Sequence, residues 1–273
     1  MKPYLLLAPL VLLAACRPDD QPATTATPPP ATSAPTAGAP AATPDTLHVA
    51  DSLGRRVAVL PLRPSTAAAF QQLPAGPLPV RPTDNPNPAA TADAPLPAGG
   101  RVQRQGQQLR LRPAQGPAVV LTPQPSPEDG PEGRDIAYYY WGSLPAAHQW
   151  VVDVVMDDGS SVLLVDQRTG RRTSLLGAPS LSPDGRHLLS MCEDVSSGGT
   201  PTNLSLYRCD GPAPQLVWSR NLTAWGPRAA RWRDARHAIL LRAHAATDPS
   251  ADVAEAAQHV RLSYAELELP ARP

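Results

Sequence analysis

The chain has 273 residues, of which 36 are proline and only 12 aromatic (five Trp, six Tyr and one Phe), and 24 cationic side chains balance 24 acidic ones. Residues 17–100 hold 18 of the prolines, whereas ten of the aromatics lie between Tyr138 and Tyr264. This segregation excludes one uniform globule of full length, and a formal charge of zero gives no electrostatic footprint for nucleic acid.

Residues 1–16 read MKPYLLLAPLVLLAAC. Lys2 precedes an apolar run from Tyr4 to Leu13 that is too short to span a bilayer, and small residues follow. That is the pattern of a secretory signal. The ending Leu13-Ala14-Ala15-Cys16 resembles the lipobox of bacterial lipoproteins. The resemblance implies that residues 1–15 are removed as a signal peptide, that diacylglycerol is joined to the Cys16 thiol, and that the new amino terminus takes an acyl chain such as palmitate. An ordinary cleaved signal with an incidental cysteine is the plainer alternative. Three acyl chains hold far more firmly than one, which binds a membrane only marginally. Arg17 follows Cys16, where some Gram-negative lipoproteins carry an inner-membrane retention aspartate. The resemblance therefore implies a lipid-anchored place in the bacterial cell envelope, on the outer membrane.

Residues 16–46 continue almost entirely in Pro, Ala, Thr, Ser, Gly and Asp. Such a stretch cannot bury enough apolar surface to offset the entropy of ordering, so a disordered tether is expected. Its prolines favour extension, and at ~3.1 Å per residue it reaches up to about 90 Å. The next segment, 47–134, alternates short strand patterns with proline-rich loops. LHVADSLGRRVAVL over 47–60 suggests two strands about a Leu53-Gly54 turn. Ala67–Gln72 is a short helical stretch, and 73–99 reads mostly as loop, which at that length is usually linker or disorder. Leu109, Leu111, Val119, Val120 and Leu121 then mark two further strands.

From Ile136 the strand signals become dense. Ile136–Trp141, Trp150–Met156, Ser161–Asp166 and Arg171–Leu176 are rich in β-branched or aromatic residues and bounded by turns. Asp158-Gly159 is a hairpin signal, because glycine tolerates the positive φ of a tight turn. A second cycle carries Leu181-Ser182-Pro183-Asp184-Gly185-Arg186-His187-Leu188-Leu189. Strand patterns follow at Asn203–Cys209 and Gln215–Ser219, and a degenerate third cycle has Arg231-Trp232-Arg233-Asp234 before His237–Arg242 and His259–Ala265. Ser250–Gln258 suggests a short helix in that last cycle. The Ser-Pro-Asp-Gly turn between two strands resembles the repeat of TolB-type β-propellers. Second strands expected near residues 149, 187 and 237 fit the ~40–50-residue period of such blades. The expected fold is therefore all-β: antiparallel blade-like sheets over 135–270 that form a small or incomplete β-propeller-like domain, with a β-sandwich as the alternative. The strands at 47–60 and 101–122 could supply a missing blade or close the third.

Few residues suggest chemistry. Cys192 and Cys209 could form a disulfide in an exported protein, but pairing 187–192 with 204–209 as a hairpin sets them ~17 Å apart, beyond disulfide reach. The six histidines are scattered, and Asp153, Asp157 and Asp158 lack the alternation of a calcium loop, so no metal and no cofactor is expected. There is no Gly-X-Ser-X-Gly elbow, and Ser182 belongs to a turn. Arg228, Arg231, Arg233, Arg236 and Arg242 lie close in sequence to Trp225 and Trp232. They could contact an anionic ligand through bidentate bonds and stacking; the plainer reading has the tryptophans in the core and the arginines paired with acids. Tyr138-Tyr139-Tyr140-Trp141 reads as a strand with alternating rings. The leading expectation is a non-enzymatic, lipid-anchored envelope protein whose β domain contacts an envelope protein or a surface glycan, with no nucleic acid. An exported hydrolase with a loop-built site around Asp153, Glu193 and His187, and a structural envelope spacer, are the alternatives.

Overall fold

Prolines and glycines punctuate this chain, and strands fill the intervals between them. The computed structural model describes residues 45–51, 53–84, 91–124, 135–156, 159–195, 200–244 and 260–270. Cys16, the tether up to 44 and the expected helix at 250–258 lie outside the described residues. The fold is all-β, and every strand pairing is antiparallel.

Strands β1 (Asp45–Ala50) and β2 (Arg56–Ser65) make a hairpin, and helix α1 (Ala67–Gln72) follows. The Asp51 carboxylate accepts the backbone N–H groups of Leu53 and Arg55 at 2.9 Å, closing the hairpin turn, while Gly54 takes φ 75°. In α1 the Thr66 hydroxyl accepts the Ala69 N–H, an N-cap bond. β3 (Val102–Gln105), β4 (Gln108–Leu111) and β5 (Val119–Leu121) form a three-stranded sheet. β6 (Ile136–Leu144), β7 (Gln149–Met156), β8 (Gly159–Asp166) and β9 (Arg172–Leu175) form a four-stranded meander.

The remaining strands are β10 (Ala178–Leu181), β11 (His187–Cys192), β12 (Asn203–Arg208), β13 (Gln215–Asn221), β14 (Gly226–Trp232), β15 (His237–His244) and β16 (Arg261–Glu268). They belong to one nine-stranded sheet ordered β10-β11-β12-β13-β1-β2-β16-β15-β14. It consists of two blade-like meanders joined by the N-terminal hairpin. β2 becomes the fourth strand of the last meander, with Leu62 opposite Leu267 and Ser65 opposite Tyr264. β1 then reaches the preceding meander, with Ala50 opposite Ser219. The two free edges, β10 and β14, come against each other and nearly close the sheet as a barrel. No ladder joins them. Side chains do: the Ser180 hydroxyl donates to the Ala230 carbonyl at 3.1 Å, and Trp232 Nε1 donates to the Ser180 carbonyl and hydroxyl at 3.3 and 3.1 Å.

The repeat turns share a backbone pattern. Before β7, His148 N–H donates to the Pro145 carbonyl at 3.0 Å; before β11, Gly185 N–H donates to the Ser182 carbonyl at 2.9 Å. His148 and Gly185 both sit in the left-handed region, at φ 53° and 71°. Ser182 N–H and Arg233 N–H each donate at 2.8 Å to the carbonyl of the histidine that opens the next strand, His187 or His237.

Three apolar clusters fill the space between sheets. Leu47, Leu60, Leu62, Leu204, Leu206, Trp218, Trp225, Trp232, Leu240 and Leu267 are buried together inside the nearly closed sheet. Each such leucine contributes about 1.5–3 kcal/mol on burial. The sheet β3–β5 packs through Leu109, Leu111 and Leu121 on Tyr140, Trp150 and Val152. The opposite face of the β6–β9 sheet, through Trp141, Val151 and Leu164, meets Leu188 of β11. Tyr140 and Trp141 are adjacent in sequence and therefore enter different clusters. All these residues lie in the compact unit Thr43–Pro273, so the strands of 47–134 and of 135–270 are built into one folded body.

The proline-rich connection between α1 and β3 has almost no sheet partner, as a loop should, yet the structure does not treat it as a free linker. Leu78 packs into the cluster around Trp141, and Trp141 Nε1 donates to the Pro79 carbonyl at 2.9 Å. Further on, Ala94 N–H donates to the Tyr140 carbonyl at 2.7 Å, and Asp93 accepts the Tyr140 N–H at 2.7 Å and Arg104 Nε at 2.8 Å. Its described parts, up to 84 and from 91, are a strap held to the sheets by side-chain and backbone bonds.

Candidate functional site

The arginines of β14, β15 and the turn between them do not form one cationic surface. Alternate residues of a strand face opposite ways, and each guanidinium finds its own partner. Arg228 Nε lies 3.6 Å from Glu193, and Arg233 Nη1 lies 2.7 Å from Glu266. Arg236 donates through Nε and Nη2 to the Leu269 carbonyl at 2.9 and 2.8 Å. Arg242 pairs with Asp45 at 2.9 Å and lies over the Trp225 ring at 5.3 Å. Trp225 and Trp232 are core residues, 6% and 5% exposed. The expected anionic contact is thus dispersed, and only Arg231 and Trp232 of that set meet at one cavity.

That cavity has a volume of about 370 Å³ and lies at the seam where β10 and β14 approach. Pro74, Pro77, Pro145, Leu181, Pro183 and Trp232 give it an apolar wall; Ser180, Ser182 and Arg231 are its polar side chains. The Ser182 hydroxyl is already engaged, donating to Asp184 at 2.6 Å and accepting the His187 N–H at 2.9 Å. Arg231 is held on one edge. Its Nη1 donates to the carbonyls of Phe70, Gln71 and Leu73 at 3.3, 3.2 and 3.0 Å, and its guanidinium lies 4.6 Å from the Phe70 ring centroid. These carbonyls belong to the end of α1, where helical partners run out. Arg231 Nε and Nη2 have no hydrogen-bond partner among the described residues.

The other expected groups lie elsewhere. Cys192 and Cys209 are free thiols, so the possible disulfide between them does not form. Cys192 is in register with Asn203 at one end of the β11–β12 hairpin, and Cys209 N–H bonds the Arg186 carbonyl at the other. Burial pushes the Cys209 thiol up to about 12; burial also raises the Cys192 thiol above its ordinary value. His187 opens β11 and Glu193 follows its last residue, a separation of about 20 Å along an extended strand. His187 Nδ1 bonds the Ala235 carbonyl at 3.1 Å. Asp153, fully buried on β7, is bound by Arg81 Nε and Nη2 at 2.8 and 2.6 Å. The hydrolase set of Asp153, Glu193 and His187 is therefore not assembled. Among the described residues no three His, Cys, Asp or Glu side chains gather as a metal set, and no helix is long and apolar enough to cross a membrane. Asp157 and Asp158 lie outside the described residues.

Sequence reasoning missed Arg81, whose guanidinium lies 5.5 Å from the Trp141 ring centroid as well as on Asp153, and it missed the wall formed by Pro74 and Pro77. Neither has a period to betray it, because both sit in the strap. Compared with known proteins, the chain matches no protein-family model, no curated protein and no solved structure.

Proposed function

We propose that the protein is a lipid-anchored component of the bacterial cell envelope, on the outer membrane, whose β domain binds an envelope protein or a surface glycan without catalysing a reaction. The observation that carries this reading is Leu13-Ala14-Ala15-Cys16 placed directly after a short apolar run with one preceding lysine. Small residues before the cut and a thiol at the modified position are what lipoprotein processing requires. The proline-rich stretch to residue 46 supports it as a spacer that keeps a folded unit clear of the membrane.

Within the folded unit, the separation of His187 from Glu193 and the capture of Asp153 by Arg81 remove the support for a hydrolase. A cavity in the 300–1,000 Å³ range of ligand sites favours a binding role over that of a spacer. Globomycin, which blocks lipoprotein signal cleavage, tests the anchor. Treated cells should accumulate a precursor that still carries residues 1–15, whereas normal cleavage under the drug would sink the reading.

A further inference from the structure

We propose that the seam cavity between β10 and β14 binds a small amphipathic carboxylate, its apolar body against Trp232 and the prolines and its carboxylate on Arg231. This deepens the binding reading above and rests on that reading only for the β domain, since nothing in it depends on the anchor.

Three ligand chemistries can be weighed against the wall. A bare inorganic anion would leave its hydration shell for a lining that is mostly Pro, Leu and Trp, with too few donors to replace it. A neutral apolar molecule would strip water from Arg231 Nε and Nη2, which have no protein partner among the described residues, and leave them unpaired. A carboxylate on an apolar body satisfies both parts of the site. The Nε–Nη2 edge of a guanidinium is the fork that takes a carboxylate through two parallel bonds. Here that fork is preorganised. The three carbonyls at the end of α1 and the Phe70 ring hold the opposite edge and the face of the group, so little side-chain freedom is lost on binding. Among the residues lining the cavity none is acidic, and Arg231 is the only charged one, so nothing on the wall repels an anion.

The folded unit Thr43–Pro273 carries the whole described core and is the piece to titrate. The probes are 4-phenylbutyrate, the neutral 4-phenylbutan-1-ol and inorganic phosphate, followed by amide and indole NMR shifts. The expected result is saturable binding of 4-phenylbutyrate, with shifts centred on Ser180, Leu181, Ala230 and the Trp232 indole. The alcohol and phosphate should each bind at least tenfold more weakly. Arg231→Gln should lower 4-phenylbutyrate affinity at least tenfold, and Arg231→Lys, which keeps the charge but not the fork, should lower it by a smaller factor. If Arg231→Gln fails to fold, Ala75→Trp decides: Ala75 is an exposed residue of the cavity wall, and an indole there should abolish binding while leaving Arg231 intact. Binding of the alcohol as tight as that of the carboxylate, shifts centred elsewhere, unchanged affinity in Ala75→Trp, or no saturation with 4-phenylbutyrate would each overturn the proposal. A failed titration alongside a globomycin-sensitive precursor would sink the ligand and spare the anchor.

Discussion

His148 is the only non-glycine residue with positive φ among the described residues, and its exposed side chain contributes little packing. An L-residue in the left-handed region costs about 1–2 kcal/mol, while a glycine there adds about 0.5–1 kcal/mol of unfolded-state entropy. His148→Gly should therefore stabilise the protein by up to about 1 kcal/mol, read as a higher urea midpoint at unchanged slope; an unchanged or lower midpoint would contradict the strain. The thiols give a second test at this scale. With burial holding Cys209 up to about 12, almost none of it is thiolate at pH 8. Iodoacetamide should modify it much more slowly in the native protein than after denaturant is added, and equal rates in the two states would contradict the raised value. The arginines between Arg228 and Arg242 show why single residues are hard to read. Their density near two tryptophans is visible in the sequence. Asp45, Glu193 and Glu266, the partners of Arg242 on β15, Arg228 on β14 and Arg233 just after it, are supplied by other parts of the chain, and local spacing cannot reveal them.

The elements themselves were more legible than their neighbours. Alternation of apolar residues and the turn at Gly54 point to the 47–60 hairpin, and Ala67–Gln72 is helical where its composition says so. The repeat turns place strand starts near 149, 187 and 237, and β7, β11 and β15 begin at Gln149, His187 and His237. Local pattern leaves open whether the strands at 47–60 and 101–122 supply a blade or close the third; β2 closes the last sheet, with Leu62 meeting Leu267 across most of the chain, while β3–β5 form a sheet of their own. Nor does a proline-rich stretch announce that it will be pinned by Trp141, Arg81 and Asp93; each bond involves a residue distant in sequence. The closure makes a direct prediction. Leu62 is 1% exposed whereas Val59, on the same strand, is 46% exposed. Leu62→Ala should cost about 2–5 kcal/mol and Val59→Ala within about 0.5 kcal/mol, measured by urea unfolding of the Thr43–Pro273 unit. Equal effects would place β2 outside the sheet.

At the scale of the whole molecule, one hairpin near the start of the folded unit sits between its last two blade-like sheets. Such long-range pairing must wait for most of the chain, which makes folding slow relative to local hairpins. The same hairpin follows directly on the tether, so only the proline-rich stretch separates the expected anchor at Cys16 from the strands that close the barrel-like sheet, which begin at Asp45. The proposed molecule joins a binding unit of antiparallel sheets to a lipidated Cys16 that holds it in the envelope. Mass spectrometry of the N-terminal peptide of the mature protein, isolated from its own membranes, tests the lipidation most directly. The account predicts a chain that begins at Cys16 and carries a thioether-linked diacylglycerol and an N-acyl group. A mature chain that begins at another residue, or an unmodified Cys16, would contradict it.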